Sequence, residues 1–454
     1  MSGSAVRGPV VAAGGGNCWG QPACGSPAGR RLRRFGRCTG LVLVLVVVLS
    51  ACGNAPPPAP ALAVVPAPNP ATAAPPPTAP APPSAPPSAT ARRAPEPGVP
   101  SPMVDAGRGA CVDSLLGVLT PAQRAGQLLM VGVPVDDPTA DVVSVVASGV
   151  GGVFLRGRSS QPKTTVTANV SALQHAVAAA RGVPLQVSAD QEGGQVQTLS
   201  GDGMTTIPSA LIQGRWDTSQ LVTHTQAWAS ALVQAGVTLD LAPVADVVPP
   251  GTASQNPPIG AVDRGYGSTP QVVGAAVQTV VATASQVGLL STVKHFPGLG
   301  RVRVNPDTST GAVDNTTSPA DPALGPFTQA IRAGVAAVMI SSASYPGLDA
   351  RNLAVFSPPI ITGLLRNQLG FAGLVLTDDM GTAAAVAAVP PGQRALQFIQ
   401  AGGDVILTNQ PSDVAPMLST LNGAAAHEDG FRSRIDVSVR RVLTTKIAAG
   451  LIHC

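Results

Sequence analysis

Charge is scarce in this chain. Asp, Glu, Lys and Arg make up 11% of its 454 residues and aromatics 3%, so a charged side chain that ends an apolar run is informative. Histidine is rarer still, with five in all. No His/Cys/Asp spacing of the metal-binding kind occurs, so metal hydrolysis and a metal site are not expected. A Gly-x-Ser-x-Gly elbow is missing, and no Gly-rich phosphate fingerprint follows the first strand-like run. No cofactor is implied. Excess positive charge is lacking too, once residues 1–51 are set aside. They hold Arg7, Arg30, Arg31, Arg33, Arg34 and Arg37 and no acid. Without them 22 basic residues face 24 acidic ones, and the formal +4 becomes −2. That balance gives no electrostatic reason to expect nucleic-acid binding.

The apolar run 41–49 is too short for a comfortable membrane span. Behind the arginines at 30–37 it reads as the h-region of an export signal. Leu49-Ser50-Ala51-Cys52 then resembles a bacterial lipobox, a signal cut before the Cys, whose thiol carries diacylglycerol. An ordinary cleaved signal with an incidental Cys is the alternative. The stretch before Arg30 is long for an n-region, which leaves a later start codon open, and Arg33-Arg34 is a weak twin-arginine signal. Residues 1–51 are thus expected to be a leader, with a lipid on Cys52 holding the protein to the outer face of the cytoplasmic membrane.

Residues 52–104 are almost wholly Pro, Ala, Ser and Thr. Such a segment cannot bury a core and is expected to be an extended tether. About 50 residues at roughly 3.1 Å each give a contour near 150 Å, enough to hold a domain clear of a membrane. The folded domain is expected over 105–454. Of the six cysteines, Cys18, Cys24 and Cys38 lie in the leader. Cys111 and Cys454 stand at the two ends of the folded domain. Outside the cytoplasm a disulfide between them is permitted, with free buried thiols as the alternative. A monomer is expected.

Within 105–454, residues 115–130 read as a helix leading into a first strand at 127–133. Further apolar runs bounded by Gly or Pro follow at 150–155, 183–188, 237–242, 288–293, 335–340, 373–377 and 404–408. Segments with helical spacing lie between them, such as 166–180, 223–235, 272–286, 358–369 and 392–401. Eight near-continuous apolar strands alternating with helix-sized segments predict a parallel α/β architecture, with a (β/α)₈ TIM barrel as the leading fold. A doubly wound open sheet is the other possibility.

In a barrel, chemistry belongs at the C-terminal ends of the strands. Strand three ends in Asp190-Gln191-Glu192-Gly193-Gly194, strand four in Asp246, strand five in Lys294-His295, and strand seven in Asp378-Asp379. A loop before strand five carries Asp263-Arg264. Any one of these could be a solvated loop charge. Together, in so uncharged a chain, they point to a site. Carboxylates accept hydrogen bonds from sugar hydroxyls, and one can attack an anomeric carbon, so glycoside hydrolysis is the natural reaction class.

Four blocks carry a resemblance. Asp190-Gln-Glu-Gly-Gly-Gln-Val-Gln197, Asp263-Arg264, Lys294-His-Phe-Pro-Gly298 and Leu369-Gly-Phe-Ala-Gly-Leu-Val-Leu-Thr-Asp-Asp-Met380 resemble glycoside hydrolase family 3. The similarity is to its single-domain bacterial β-N-acetylglucosaminidases (β-hexosaminidases), which trim muropeptides and cell-wall fragments. It implies a retaining mechanism with Asp378 as nucleophile, and Asp190, Arg264, Lys294 and His295 holding the sugar's hydroxyls. Asp379 is expected to be a structural acceptor and Glu192 a supporting partner of Asp190. The implied partner is an amino-sugar glycan or peptidoglycan fragment. Read alone, Asp378 could instead be a helix N-cap.

One loop departs from the family. Single-domain members carry Asp-x-His after strand five, the His serving as general acid/base. Here, aligned on Thr310-Gly311, Asp307 falls on the Asp and Ser309 on the His. Aligned without a gap from Gly298, Asn305 and Asp307 fill the two positions. Two further family histidines are replaced by Leu299 and Ser342. Three readings follow. Asp307 could be the acid/base, if burial raises its pKa towards about 6. Hydrolysis could proceed with poor leaving-group protonation, at a cost of about 10² to 10⁴ in rate. Or the barrel could bind cell-wall sugars without cleaving them.

Overall fold

The computed structural model describes residues 106–454. The expected leader, the lipidation candidate Cys52 and the tether lie outside the described residues. Eight parallel strands form one ring: β1 (Leu129–Pro134), β2 (Gly152–Arg156), β3 (Gln186–Ala189), β4 (Leu239–Asp240), β5 (Leu290–Phe296), β6 (Ala337–Ile340), β7 (Leu374–Thr377) and β8 (Ile406–Thr408). Each pairs with its sequence neighbour, β8 pairs back with β1, and a bridge between Leu376 and Val405 brings β7 against β8. The expected α/β barrel is the observed fold.

The strands form where the apolar runs predict, because a strand covered on both faces needs no polar alternation. Ala337–Ile340 and Leu374–Thr377 are buried at every residue. The covering helices start at conventional caps. Thr269 accepts from the Val272 N–H, with Pro270 following, to open Pro270–Gln286. Asp217 and Gln220 form a capping box that opens Thr218–Gln234. The expected single helix over 115–130 is two, Ala106–Val118 and Pro121–Gln127. The break lies at Thr120, which makes a capping box with Gln123.

The two ends of the barrel differ in chemistry. At the N-terminal end of the strands, buried Asp404 pairs with Arg366 and Arg441, and fully buried Lys446 donates to Gln127 Oε1 at 2.6 Å. There the sulfurs of Cys111 and Cys454 are bonded, with Cα atoms 5.8 Å apart. These contacts tie the first and last helices to the barrel floor. The opposite end is open and holds the polar strand ends.

Candidate active site

A cavity of about 330 Å³ opens at the C-terminal end of the barrel. Asp190, Arg264, Lys294, His295, Asn305, Asp307, Asp378, Asp379 and Asn409 line it together with Leu299 and Phe154. Every catalytic or sugar-binding candidate read from the sequence therefore reaches one space. Ser309 is not among the lining residues; of the two alignments of the loop, the gap-free pair Asn305 and Asp307 is the one that faces the cavity.

Lys294 and His295 both line the cavity although they are adjacent on β5, where side chains normally alternate between faces. The alternation breaks between Val293 and Phe296, where the register against β6 shifts; the Lys294–His295 and Phe296–Pro297 peptide bonds are cis. Lys294 Nζ contacts Asp190 Oδ1 at 2.5 Å and Glu192 Oε1 at 2.7 Å. Arg264 grips the same Glu192 with two bonds, Nε to Oε2 at 2.8 Å and Nη2 to Oε1 at 2.7 Å. Glu192 is thus the hub between both cations rather than a partner of Asp190. Burial opposes its ionisation, but Arg264 and Lys294 outweigh it and hold the carboxyl at about 2. Burial likewise works against the Lys294 charge, and Asp190 and Glu192 more than restore it.

His295 is held from both sides. Its Nδ1 lies 2.7 Å from Asp246 Oδ2 and its Nε2 3.3 Å from Arg264 Nη2. Arginine can only donate, so Nε2 accepts and Nδ1 carries the proton that is given to Asp246. The same carboxylate accepts the backbone N–H of Leu299 at 2.6 Å and that of His295 at 3.3 Å. Asp246, fully buried, therefore fixes both the imidazole and the start of the loop after β5. Gly300 lets that loop close onto the β4 end, since a Cβ there would lie 1.9 Å from the Val247 carbonyl oxygen.

The two acids after β7 have different surroundings. Asp379 Oδ1 accepts from the N–H groups of Gly381 and Asn409, both at 2.8 Å. Its Oδ2 accepts from the Thr382 N–H and hydroxyl. That carboxylate is saturated by its own loop. Among the described residues Asp378 accepts only from the Asp379 N–H, at 2.9 Å, which leaves acceptor capacity facing the cavity.

Asp307 belongs to an exposed loop, but its carboxyl faces inward. The loop is docked on the segment after β7: the Ala384 N–H donates to the Asp307 carbonyl and the Ala385 N–H to the Pro306 carbonyl, each at 3.0 Å. Enclosure by that packing, and then the charge of Asp378, raise the Asp307 carboxyl to about 6, against the opposing pull of Arg264.

Two groups escaped the sequence reading, and a third had no role assigned. Asp240, an acid inside an apolar run, is buried at the end of β4, where its Oδ1 accepts from the Gln191 N–H. Burial pushes it up to about 8 against the pull of Lys294, so it stays protonated at neutral pH. Asp246 was placed at a strand end without a role. Asn409, at the end of β8, had no signal beyond its position. Among the described residues no three His, Cys, Asp or Glu side chains converge as a metal site.

Comparison with known proteins agrees with the barrel fold. The model of the "Glycosyl hydrolase family 3 N terminal domain" matches residues 121–445. The chain is 33% identical over 282 residues to a beta-hexosaminidase of Nitrosomonas eutropha, covering 60% of this chain and 77% of that one. It is 32% identical over 341 residues to beta-hexosaminidase LpqI of Mycobacterium tuberculosis, covering 72% and 83%. Among solved structures, a beta-N-acetylhexosaminidase from Beutenbergia cavernae superposes with a TM-score of 0.71 at 41% identity, covering 73% of this chain and 99% of that one. M. tuberculosis LpqI gives 0.63 at 29% identity, covering 74% and 96%.

Proposed function

The chain belongs to glycosyl hydrolase family 3, and on that premise we propose that it is a retaining β-N-acetylglucosaminidase acting on amino-sugar glycans or peptidoglycan fragments. The observation that carries the reading is the pairing of Asp378, a carboxylate with free acceptor capacity, with Asp307, a carboxyl raised to about 6 in the same cavity.

Asp378 is the nucleophile and Asp307 the acid/base. In the first step Asp378 attacks the anomeric carbon while Asp307 gives its proton to the departing glycosidic oxygen. Ester formation removes the Asp378 charge and with it part of what keeps Asp307 protonated. Asp307, left as a carboxylate by the first step, then stays ionised and is free to take a proton from the attacking water. His295, whose Nε2 accepts from Arg264 and whose proton faces Asp246, is not arranged to take that role. Asp190, Arg264, Lys294 and His295 hold the sugar hydroxyls. The similarity to named beta-hexosaminidases supports an amino sugar.

The same reading places the barrel outside the cytoplasmic membrane, held by a lipid on Cys52 through the tether, with Cys111–Cys454 closing the chain ends in an oxidising compartment. The test is the first product formed from an aryl β-N-acetylglucosaminide, followed by proton NMR. The β-anomer should appear before mutarotation. The α-anomer would overturn the retaining mechanism, and no turnover together with sugar binding would favour a non-cleaving barrel.

A further inference from the structure

Arg156 ends β2 and takes no part in the chemistry above. Its direction follows from the strand register. Gly132 pairs with Phe154 and Pro134 with Arg156, and neighbours in a parallel pair face the same side. Phe154 lines the cavity, so Arg156, two residues on, also faces inward, one layer nearer the mouth. It is half-buried. Among the described residues, no hydrogen bond or ion pair engages its guanidinium, and its buried Nε has no partner.

Asn409 shares this corner. It lines the cavity, its backbone N–H is bound by Asp379, and its buried Oδ1 has no partner among the described residues. Arg156 Cδ and Asn409 Oδ1 both lie within 3.1 Å of one point, the place a Cβ on Gly132 would take. Glycine at 132 is what opens the corner to both side chains. The acids of the neighbouring strand ends are engaged elsewhere: Asp136 accepts from the Ser159 hydroxyl, and Asp190 and Glu192 are held by Lys294 and Arg264.

A half-buried guanidinium is costly to leave without an anion, and its planar fork matches a carboxylate. We propose that Arg156, beside Asn409, is a specificity-determining residue that binds a carboxylate substituent of the glycan at the mouth of the active site. This rests on the glycosidase reading and deepens it: the preferred substrate is an acidic amino-sugar glycan, with the carboxylate lying outside the sugar held by Lys294 and Arg264. The orphaned Asn409 Oδ1 would accept from a hydroxyl beside that carboxylate.

The test is calorimetric binding, which does not depend on turnover. The ligands are an N-acetylglucosaminyl disaccharide with a carboxylate on its second sugar and the methyl ester of the same compound. The wild type should bind the acid about tenfold or more tightly than the ester, as a charge-assisted hydrogen bond implies, and added salt should shrink the difference. Arg156→Gln should bring the ratio near one, and Arg156→Lys should keep part of it. Equal binding of acid and ester by the wild type, or a preference that survives in Arg156→Gln, would overturn the proposal. Selective binding of the acid without cleavage of either compound would uphold Arg156 and overturn the glycosidase reading instead. Binding of neither ligand would overturn both.

Discussion

Asp307 and Asp378 line one cavity, and enclosure together with the charge of Asp378 pushes the Asp307 carboxyl up to about 6. Two carboxyls that crowd one another cannot both ionise freely, and the difference in their surroundings assigns their roles. A raised pKa keeps the proton on Asp307 below about 6 and releases it as pH rises through that value. The kcat/KM for a disaccharide should therefore fall above about pH 6. Asp378→Asn, which removes the neighbouring charge, should lower the Asp307 pKa, read by carbon NMR titration of its carboxyl. An unmoved Asp307 titration would separate the two groups.

Replacing Asp307 by Ala should depend on the leaving group. A natural disaccharide, whose alkoxide needs a proton, should lose about 10² to 10⁴ in rate. A nitrophenyl glycoside, which leaves unaided, should lose far less. Equal losses on the two substrates would show that Asp307 holds the loop and moves no proton.

Glu192 links the site to stability. Its folded carboxyl sits at about 2, below the ordinary 4.5, so its contribution is present above pH 4.5 and fades as pH falls towards 2. Glu192→Gln leaves Lys294 and Arg264 without their shared partner and should destabilise the barrel by about 3 kcal/mol or more at pH 7. The loss should shrink in acid. Denaturant titrations of both proteins at pH 7 and pH 3 measure the two losses directly.

The bond between Cys111 and Cys454 spans 343 residues of sequence. Closing so long a loop restricts the unfolded chain, a term of about 2–5 kcal/mol. Cys111→Ser should lower the melting temperature of the oxidised protein, and a reductant should lower the wild type to match without altering the variant. A wild type indifferent to reductant would mean the thiols are free in solution.

Much of the molecule was legible in the residues. Strands such as 335–340 announce themselves because a strand buried on both faces must be apolar throughout, and charges at their ends mark the mouth. Less legible was whatever depends on contacts between distant segments. Thr120 and Gln123 spelled a helix start inside what read as one helix, a local signal outweighed by the apolar spacing around it. Alternation on β5 would send Lys294 and His295 to opposite faces, yet both face the cavity. Glu192 became the hub of two cations only once β3, β5 and the loop at Arg264 met. Arg156 carried no signal in the sequence; only the register against Gly132 turns it inward. The loop after β5 docks on Ala384 and Ala385, and that docking explains how Asp307 reaches the cavity.

The central claim is that Asp378 attacks the sugar. A 2-deoxy-2-fluoro or 5-fluoro amino-sugar inhibitor with a good leaving group should trap the intermediate, adding one glycosyl mass per chain. Peptide mapping by mass spectrometry should place that mass on Asp378, and Asp378→Ala should show none. A stable adduct on any other residue, Asp379 and Asp307 included, would contradict the account.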